Sequence, residues 1–300
     1  MRTTGEIVRK AWDSRTVIPS FNIAYLPMMA PIVAAIRDTG SFGLIAVARL
    51  EWVKFKAVSL KAVRDEYEKL KDERHTRLHL DHVPVLDEDG LRVDYAADIG
   101  EAIGLGYGSV MIDGSRVPLE ENIAATRQMA SVAHAAGVPI EGELGAVLGH
   151  EAGPLPPYEE LFASGKGFTD ADQAGRFVRE TGVDWLSVAI GNVHGAISEQ
   201  RHLKKVEARL NIDHLRRIRQ AARIPLVLHG GSGARKPYVI SAIREGIAKI
   251  NVATTIRQPY EAALRSGQPL AAAQKAAYDA MVRVITDDLE LAGSAAIVNP

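Results

Sequence analysis

Short runs of apolar and β-branched residues recur along the chain, separated by longer stretches in which apolar residues have helical spacing. Near-continuous apolar runs are typical of strands buried on both faces, as in a parallel sheet. Eight runs are predicted to be strands: Thr16–Asn22, Phe42–Val47, Thr76–Asp81, Ser109–Asp113, Val138–Glu143, Asp184–Ile190, Ile224–His229 and Ile247–Val252. The stretches between them are predicted to be helices: Met28–Asp38, Leu60–Lys71, Leu119–Ala136, Asp170–Glu180, Ile212–Ala222 and Lys236–Gly246.

The alternation of eight strands with helices predicts an α/β protein, a single (β/α)8 TIM barrel over residues 1–300. An open, doubly wound sheet is the alternative that the same pattern allows. The Ala- and Leu-rich stretch Arg257–Pro300 is predicted to add helices after the last strand. Two connections, His82–Tyr95 after the third strand and Gly145–Gly167 after the fifth, have a length typical of functional or mobile loops.

The balance of charge argues against a general polyanion-binding protein. The 36 basic and 37 acidic side chains leave a formal net charge of −1, so nucleic acid is not an expected partner. The absence of cysteine excludes disulfides, zinc–thiolate sites and cysteine nucleophiles. The first residues lack an apolar signal segment, and no apolar run reaches the roughly 20 residues that span a bilayer. We therefore expect a soluble cytoplasmic protein without a membrane partner.

Polar side chains collect at the ends of the predicted strands. The set comprises Asn22, Asp81, His82, Asp113, Glu141, Glu143, His194, His229 and Asn251. In a barrel of this kind, the carboxyl ends of the strands form the rim where active sites lie. Carboxylates, imidazoles and an amide that converge there indicate metal binding and acid–base chemistry.

Three members of this set, His82, His194 and His229, are histidines at three different strand ends. Three imidazoles can bind one zinc ion and leave positions open for substrate, although the order of residues alone does not show that they converge. A single histidine is more often structural or solvated, and we expect this of a second group. That group consists of His75, His134, His202 and His214.

Glycine and hydroxyl residues follow the seventh and eighth strands. The motif HGGSG at 229–233 can expose backbone N–H groups, and Asn251–Thr254 adds an amide and a hydroxyl. Loops after these two strands are the customary phosphate site of a (β/α)8 barrel. The pattern therefore indicates a phosphate site, with a simple turn at Gly-Gly as the alternative.

Several motifs cover the chain from end to end: PSFN (19–22), LHLDH (78–82), GYGSVMIDGSRVPLEENI (106–123), EGELG (141–145), GNVHG (191–195), HGGSG (229–233), KINVAT (249–254) and LAGSAA (291–296). In these motifs the chain resembles a divergent member of the class II, zinc-dependent fructose- and tagatose-bisphosphate aldolases. The resemblance implies reversible retro-aldol cleavage of a phosphorylated ketose to dihydroxyacetone phosphate, or a related ketone, and an aldehyde. It also implies a glycolysis-like role in carbohydrate metabolism and a homodimer or homotetramer.

The same resemblance implies the metal site. His82, His194 and His229 are its ligands, and Glu143 and Asp113 line a second or alternate metal position. One Zn²⁺ per chain is expected, while another divalent metal in its place and an additional monovalent cation are left open. A divalent metal at the carbonyl oxygen stabilises an enediolate without a Schiff base.

The resemblance further implies which groups move protons and bind the substrate. Asp81 is the acid–base group at the hydroxyl next to the cleaved bond, and Glu151 exchanges the proton on the enediolate carbon. Asn251 holds the substrate near the metal, Asn22 lies at the rim, and His79 is structural support. The implied phosphate pocket consists of Gly195, Gly230, Ser232, Ala253 and Thr254.

The chain departs from the family pattern around the substrate. Ser198 and Glu199 stand where the family often has a phosphate-site lysine, and three nearby cations are candidate substitutes: Arg201, Lys204 and Lys205. The loop after His82 is longer than usual, and the lid sequence is altered at Leu148–Glu151. The core metal chemistry is therefore expected to be kept, while the surroundings of the substrate are changed.

A further departure lies at the end of the second strand. Ala48, Arg49 and Glu51 replace the usual serine in a small loop. Arg49 either binds a distal phosphate, sulfonate or carboxylate of the substrate, since guanidinium suits such anions, or pairs with Glu51 as a buried ion pair. The substrate therefore need not be fructose 1,6-bisphosphate.

Other functions are compatible with these residues. The scaffold also suits another metal-dependent lyase, an epimerase or a hydrolase, and a non-catalytic, sugar-phosphate-binding partner subunit is a second alternative. A Schiff-base aldolase would use Lys249 on the eighth strand. Intact Asp81, Glu151 and three histidines argue against the non-catalytic alternative.

Overall fold

The computed structural model describes residues 2–147, 157–193 and 208–300. The strands in these ranges are β1 Ile18–Asn22, β2 Gly43–Ala48, β3 Thr76–Asp81, β4 Val83–Pro84, β5 Val110–Asp113, β6 Ile140–Leu144, β7 Trp185–Val188, β8 Leu226–Leu228 and β9 Ile247–Val252. These nine strands form one sheet in the order β3-β2-β1-β9-β8-β7-β6-β5-β4, and every neighbouring pair is parallel. Each predicted strand therefore corresponds to an observed one, and β4 is additional.

The two ends of the sheet meet, which closes it into a barrel. β3 and β4 are consecutive in the chain and are separated only by His82. β3 also reaches β5 directly, because the backbone N–H of Leu80 donates to the carbonyl of Ser109 at 2.9 Å. The predicted (β/α)8 TIM barrel is confirmed, and the open doubly wound sheet is wrong. That residues 1–300 make up one domain stays a prediction.

Helices connect the strands and cover the outside of the barrel. Within the same ranges they are α1 Thr4–Asp13, α2 Met29–Asp38, α3 Arg49–Val53, α4 Leu60–Leu70, α5 Tyr95–Gly104, α6 Leu119–Ala135, α7 Tyr158–Ser164, α8 Ala171–Thr181, α9 Ile212–Ala222, α10 Lys236–Arg244, α11 Thr254–Arg265, α12 Leu270–Arg283 and α13 Ala295–Val298. The predicted helices are confirmed to within two residues at each end, and extra helices do follow the last strand. α1, α3, α5 and α7 were not among the predicted helices.

Local signals explain where these helices begin and end. The side chain of Asp170 accepts a hydrogen bond from Gln173 N and caps α8, and Asn211 caps α9 in the same way through His214 N. Such caps satisfy N–H groups that have no partner inside the helix. After α8, Gly182 takes a φ of 74°, the left-handed conformation that glycine adopts without strain. In the part of the chain that the structure describes, every helix is too short or too polar to span a bilayer.

The apolar core covers the amino ends of the strands and leaves the opposite end of the barrel to polar residues. α1 packs Ile7, Val8 and Ala11 in one buried cluster with residues near the amino ends of strands, such as Ile18 and Leu44. Burial of this apolar surface stabilises the fold and covers the amino ends of the strands. The polar residues at the carboxyl ends of the strands are thereby left as the candidate site.

Candidate active site

Asp81, at the end of β3, lies at the centre of the polar residues inside the barrel. Its side chain is 1% exposed. The Nδ2 atom of Asn251, on β9, donates to both carboxylate oxygens at 2.9 Å. The Nδ2 atom of Asn22, on β1, donates to Oδ2 at 2.8 Å. Side chains from β1 and β9, two strands that are distant from β3 in sequence, therefore orient this carboxylate.

Two of the three predicted metal-binding histidines lie side by side. The rings of His82 and His229 are 4.2 Å apart between centroids and meet edge to face. Ligand atoms of Asp81, His82 and His229 all lie within 4.8 Å of one another. The predicted convergence of His82 and His229 is therefore observed, while the third histidine, His194, lies outside the described residues.

His82 belongs to a second group of possible ligands as well. Its Nδ1 atom lies 3.3 Å from Oδ2 of Asp113 and 3.7 Å from Oε2 of Glu143. The backbone of His82 has a φ of 23°, a conformation that residues other than glycine rarely adopt. This unusual conformation separates β3 from β4, and such outliers often mark functional positions.

The donor atoms fit a divalent metal. Imidazole nitrogens and carboxylate oxygens are ordinary ligands of zinc and of related transition metals. Within the described ranges, Oε2 of Glu143 and Oδ1 of Asn251 are buried and have no hydrogen-bond partner. Buried polar atoms without a partner are rare because they lose their hydration. A bound cation or a bound substrate would give each of these oxygens a partner.

Glu141 orients His229, a contact between strands that the order of residues does not show. Oε1 of Glu141 lies 2.7 Å from Nε2 of His229. Trp185 Nε1 donates to Oε2 at 2.7 Å, and Lys249 Nζ lies 2.8 Å from the same oxygen. A carboxylate only accepts, so Nε2 of His229 carries the hydrogen and Nδ1 keeps its lone pair for a metal. A signal was present in the sequence, since Glu141 and Glu143 alternate on one strand and so face the same side.

Charges around His82 favour a cation at this place. Burial by itself lowers the pKa of His82, but the carboxylates of Asp81, Asp113 and Glu143 raise it to about 10. Burial likewise raises the pKa of Asp113, but the hydrogen bond and charge of His82 bring it to about 2. The same negative surroundings that hold a proton on His82 would attract a divalent metal in its place.

His229 and Glu141 have the protonation states that metal binding requires. Burial and the neighbouring charge of His82 lower the pKa of His229 to about 4. Burial raises the pKa of Glu141, but the ammonium group of Lys249 and the hydrogen bond from His229 lower it to about 2. At neutral pH the imidazole of His229 is therefore neutral and Glu141 is an anion, the usual pairing behind a metal ligand.

The remaining histidines in the described ranges have structural contacts. Nδ1 of His79 lies 2.9 Å from Ser109 Oγ, and its Nε2 lies 3.6 Å from Asp81 Oδ1, which fits the predicted supporting role. Each of the other three histidines has a ring nitrogen 2.7 to 2.9 Å from an oxygen atom: His75 from the carbonyl of Ser41, His134 from the carboxylate of Asp184, and His214 from the carbonyl of Thr169. His202 lies outside the described residues.

Lys249 has a structural setting too. Its side chain is fully buried, 2.8 Å from Glu141 Oε2 and 3.7 Å from Asp81 Oδ1. A side chain held in this way by two carboxylates is not placed as a nucleophile, which has to reach the carbonyl carbon of the substrate. The contacts of Lys249 therefore argue against the Schiff-base alternative.

The phosphate region predicted from the sequence comprises the loops after β8 and β9. Gly230 has a φ of 66°, and a 3-10 turn over Gly231–Gly233 follows it. A Cβ atom on Gly231 would lie 2.5 Å from Cδ1 of Ile250, so glycine is needed there for close packing. Ala253 and Thr254 lie at the start of α11, where free N–H groups attract anions. The side chain of Ser232, together with Gly195 and Glu151, lies outside the described part of the chain.

The ion pairs of Arg49 differ from one of the two expectations. Its Nε lies 3.2 Å from Asp98 Oδ2, and its NH1 lies 3.8 Å from Asp87 Oδ2. Glu51 instead accepts a hydrogen bond from the backbone N–H of Ala48 at 2.7 Å. The expectation of an Arg49–Glu51 ion pair is therefore wrong. Arg49 pairs instead with Asp87 and Asp98, which the fold brings to it from later segments of the chain.

The chain is similar to known proteins over most of its length. The model of the family described as "Fructose-bisphosphate aldolase class-II" matches residues 2–296. A fructose-bisphosphate aldolase of Streptococcus pyogenes serotype M6 is 36% identical over 203 residues, which are 67% of this chain and 60% of that protein. The protein YdjI of Escherichia coli K12 is 42% identical over 163 residues, 54% of each chain. The aligned part thus spans about 60% of the Streptococcus relative.

Solved structures give the same fold. The crystal structure of the YdjI aldolase from Escherichia coli K12 is 27% identical, has a TM-score of 0.74, and the match covers 97% of this chain and 98% of that one. The fructose-bisphosphate aldolase of Campylobacter jejuni has a TM-score of 0.72 at 18% identity, with 96% and 95% of the two chains covered. The second likeness concerns the fold alone.

Proposed function

Because the chain belongs to the class-II fructose-bisphosphate aldolase family, we propose that it is a metal-dependent aldolase. Its reaction is the reversible cleavage of a phosphorylated ketose to dihydroxyacetone phosphate, or a related ketone, and an aldehyde. The observation that carries the proposal is the meeting of Asp81, His82 and His229, with ligand atoms within 4.8 Å of one another at the carboxyl ends of the strands. A metal ligand set and an acid–base carboxylate are the two parts that this reaction requires.

His82 and His229 would hold the metal, with His194 as the third ligand expected from the sequence and with Asp113 and Glu143 beside His82. The donor set suits zinc, one ion per chain. When bound, the metal supplies Lewis-acid stabilisation of the negative charge that develops on the former carbonyl oxygen. Glu141 keeps the ring of His229 in the orientation and tautomer for this task.

Asp81 would accept the proton of the hydroxyl next to the bond that breaks. As that proton leaves, the hydroxyl carbon becomes the aldehyde carbonyl, and the electron pair of the broken carbon–carbon bond passes to the ketone fragment. Asn22 and Asn251 bind both oxygens of Asp81 and so point its carboxylate. Burial raises the pKa of Asp81, but the charges of His82 and Lys249 outweigh burial and keep the pKa well below its usual range, so the carboxylate is ready to accept a proton.

The enediolate that remains must be protonated on carbon. Glu151 is the group we propose for this step, on the grounds of its place in the loop after β6. The phosphate of the substrate would lie against the loops after β8 and β9, at Gly230, Ser232, Ala253 and Thr254, with Gly195 nearby. The bound phosphate would hold one end of the substrate in place while Asp81 accepts the proton on the other side of the reacting bond.

The proposal extends to cellular role and assembly. We propose a cytoplasmic enzyme of carbohydrate metabolism that forms a homodimer or homotetramer, as the family resemblance implies. Light scattering on the purified protein measures its mass directly, and the mass of one 32.4 kDa chain would contradict the oligomer.

Metal content and cleavage of several ketose mono- and bisphosphates, measured together with and without chelator, test the proposal. We expect one zinc per chain and chelator-sensitive release of dihydroxyacetone phosphate. Metal without any cleavage would count against the aldolase reaction while leaving the metal site. Absence of both, even after zinc is restored, would contradict the whole proposal.

A further inference from the structure

A cavity of about 260 Å³ opens beside the candidate metal ligands. Its inner wall consists of His82, Asp113 and Glu143. Its outer wall consists of α3 and the turn after β4, which together contribute Arg49 and Asp87. The volume is close to that of the smaller ligand pockets of proteins, about 300 Å³. A few carbon atoms with their hydroxyl groups fit such a space.

The cavity lies across the barrel from the predicted phosphate loops. It is lined by the ends of β2, β4, β5 and β6, including Ala48 and Pro84, whereas the phosphate loops follow β8 and β9. In the strand order, β4 and β5 are about half a circumference away from β8 and β9. A substrate with its phosphate at the one place and its reacting carbons at the metal ligands would extend its far end into the cavity.

Ion pairs make the outer wall a defined structure. Lys54 Nζ, just after α3, lies 2.7 Å from Glu88 Oε1 and 2.8 Å from Asp89 Oδ2. Arg49 pairs with Asp98 and Asp87 as described above. Asp87 also accepts the backbone N–H of Leu91 at 2.8 Å, which closes the turn. Arg49 on α3 and Lys54 just after it therefore already have anionic partners.

The charges of the lining are unfavourable for a second phosphate. Apart from the candidate metal ligands His82, Asp113 and Glu143, the lining residues within the described ranges carry three cations and three carboxylates: Arg49, Lys54 and Arg116 with Asp87, Glu88 and Asp89. A phosphate dianion placed there would lose its hydration without meeting an excess of positive charge. Sugar hydroxyls, by contrast, both donate to carboxylates and accept from guanidinium and ammonium groups. The lining matches uncharged, hydroxylated carbon.

We propose that this cavity binds the aldehyde-derived end of the substrate as an uncharged, hydroxylated chain, so that ketose monophosphates are used in preference to ketose bisphosphates. The inference rests on the proposed aldolase function and adds its substrate class. Arg49 acts here as a donor to hydroxyl groups, with its charge balanced by Asp87 and Asp98, and its role is to determine specificity.

Condensation by the metal-loaded protein tests this inference. Dihydroxyacetone phosphate is supplied with either glyceraldehyde or glyceraldehyde 3-phosphate, two acceptors that differ only in the distal phosphate. We expect kcat/KM for glyceraldehyde to be higher by about tenfold or more, the effect of one modest electrostatic penalty. Equal values, or a higher value for the phosphorylated acceptor, would overturn the inference while leaving the aldolase function. Condensation with neither acceptor would overturn both.

A pair of double variants tests the cause. Asp87→Asn with Asp98→Asn removes two negative charges around Arg49, while each asparagine keeps its acceptor oxygen. The preference should shift towards glyceraldehyde 3-phosphate by about tenfold. Asp65→Asn with Asp279→Asn makes the same change of net charge at exposed lysine pairs on α4 and α12, and its ratio should stay within twofold of the unaltered protein. Equal ratios in both variants would overturn the role given to Asp87 and Asp98.

Discussion

Asp81 combines deep burial, two amide donors and a place next to a candidate metal ligand, His82. Amide donors stabilise the carboxylate without offering it a proton, so they favour the ionised form that a base needs. Replacing Asp81 by asparagine removes its charge with little change in the shape of the side chain.

We expect Asp81→Asn to lower kcat/KM for cleavage by about 10²- to 10⁴-fold, the usual contribution of a general base. Metal content should change little, because the histidines remain. Steady-state cleavage assays and metal analysis measure the two effects separately. Asp184→Asn, the same replacement beside the surface residue His134, serves as the control with an unchanged rate. Full activity in Asp81→Asn would remove this residue from the mechanism.

Glu141 acts through His229, so its replacement should affect metal affinity first. Glu141→Gln removes the anion that faces Nε2 of His229 and leaves Lys249 without its close counter-ion. Loss of such an outer partner weakens metal binding by about 10- to 100-fold. Competition titration with a chromophoric chelator measures the affinity, and the exposed Glu120→Gln is the matched control. Equal affinities for both variants would show that the contact does not orient the ligand.

Glu51 predicts a dependence of stability on pH. Burial raises the pKa of Glu51 from its ordinary value of 4.5 to about 8, and the charge of Asp81 adds to the effect. Between these values the unfolded chain has lost the proton that the folded protein keeps, so stability falls as pH rises. Glu51→Gln cannot ionise and should gain stability relative to the unaltered protein, by up to a few kcal/mol on going from pH 5 to pH 8.

Urea unfolding of both proteins at pH 5 and at pH 8 measures this difference. Gln keeps an oxygen that can accept the backbone N–H of Ala48, so the substitution tests the charge. A stability difference that is the same at the two pH values would contradict a raised pKa for Glu51.

Among the elements, β6 carries both site glutamates and has a glycine between them. Gly142 faces outward against α8, and a Cβ atom there would lie 2.9 Å from Cε1 of Phe177 and 3.1 Å from Cγ1 of Val183. The close approach of strand and helix places Glu141 and Glu143 at their observed depth. The position of the site thus depends on packing behind the strand as well as on the site residues.

Gly142→Ala should therefore destabilise the fold by about 1 to 3 kcal/mol, the range found for overpacking in a well-packed core. Gly100→Ala is the matched control, because Gly100 is an exposed residue inside α5 with open space around its Cα. The control should gain up to about 1 kcal/mol from helix propensity. Denaturant unfolding measures both, and equal effects of the two variants would contradict the proposed contact.

For the whole molecule, the candidate metal site connects strands that are far apart in the chain. His82 follows β3 and His229 follows β8, so a metal between them links two sides of the barrel. A ligand that binds only the folded state stabilises it by mass action. Metal binding should therefore be measurable as stability, independently of any catalytic assay.

We expect zinc at about 100 times its Kd to add about 2.7 kcal/mol to the free energy of unfolding of the stripped protein. Thermal unfolding with and without added zinc measures the gain as a rise in Tm. His229→Ala should lose most of this rise, whereas His134→Ala, at a surface ion pair, should keep it. A similar rise in both variants would place the metal elsewhere.

Much of the architecture could be predicted from local sequence. Apolar runs such as Thr76–Asp81 and caps such as Asn211 act over a few residues, so the strands, six helices and the polar strand ends could be recognised. α3 and β4 were not predicted because they are short and because the φ of 23° at His82 follows no local sequence rule. The roles of the site residues stay predictions, and for His194, Glu151, Gly195 and the side chain of Ser232 the position lies outside the described ranges as well.

Local sequence is sufficient to predict the alternation of strands and helices, and with it the set of polar residues at one end of the barrel. Which of these residues touch depends on the folded chain as a whole. His229 and Glu141 are 88 residues apart, and Asn251 and Asp81 are 170 apart. Arg49 likewise pairs with Asp98 and Asp87, which are distant in sequence, and not with the nearby Glu51. Closure and register of the barrel set these pairings, and neither is encoded in any short stretch of chain.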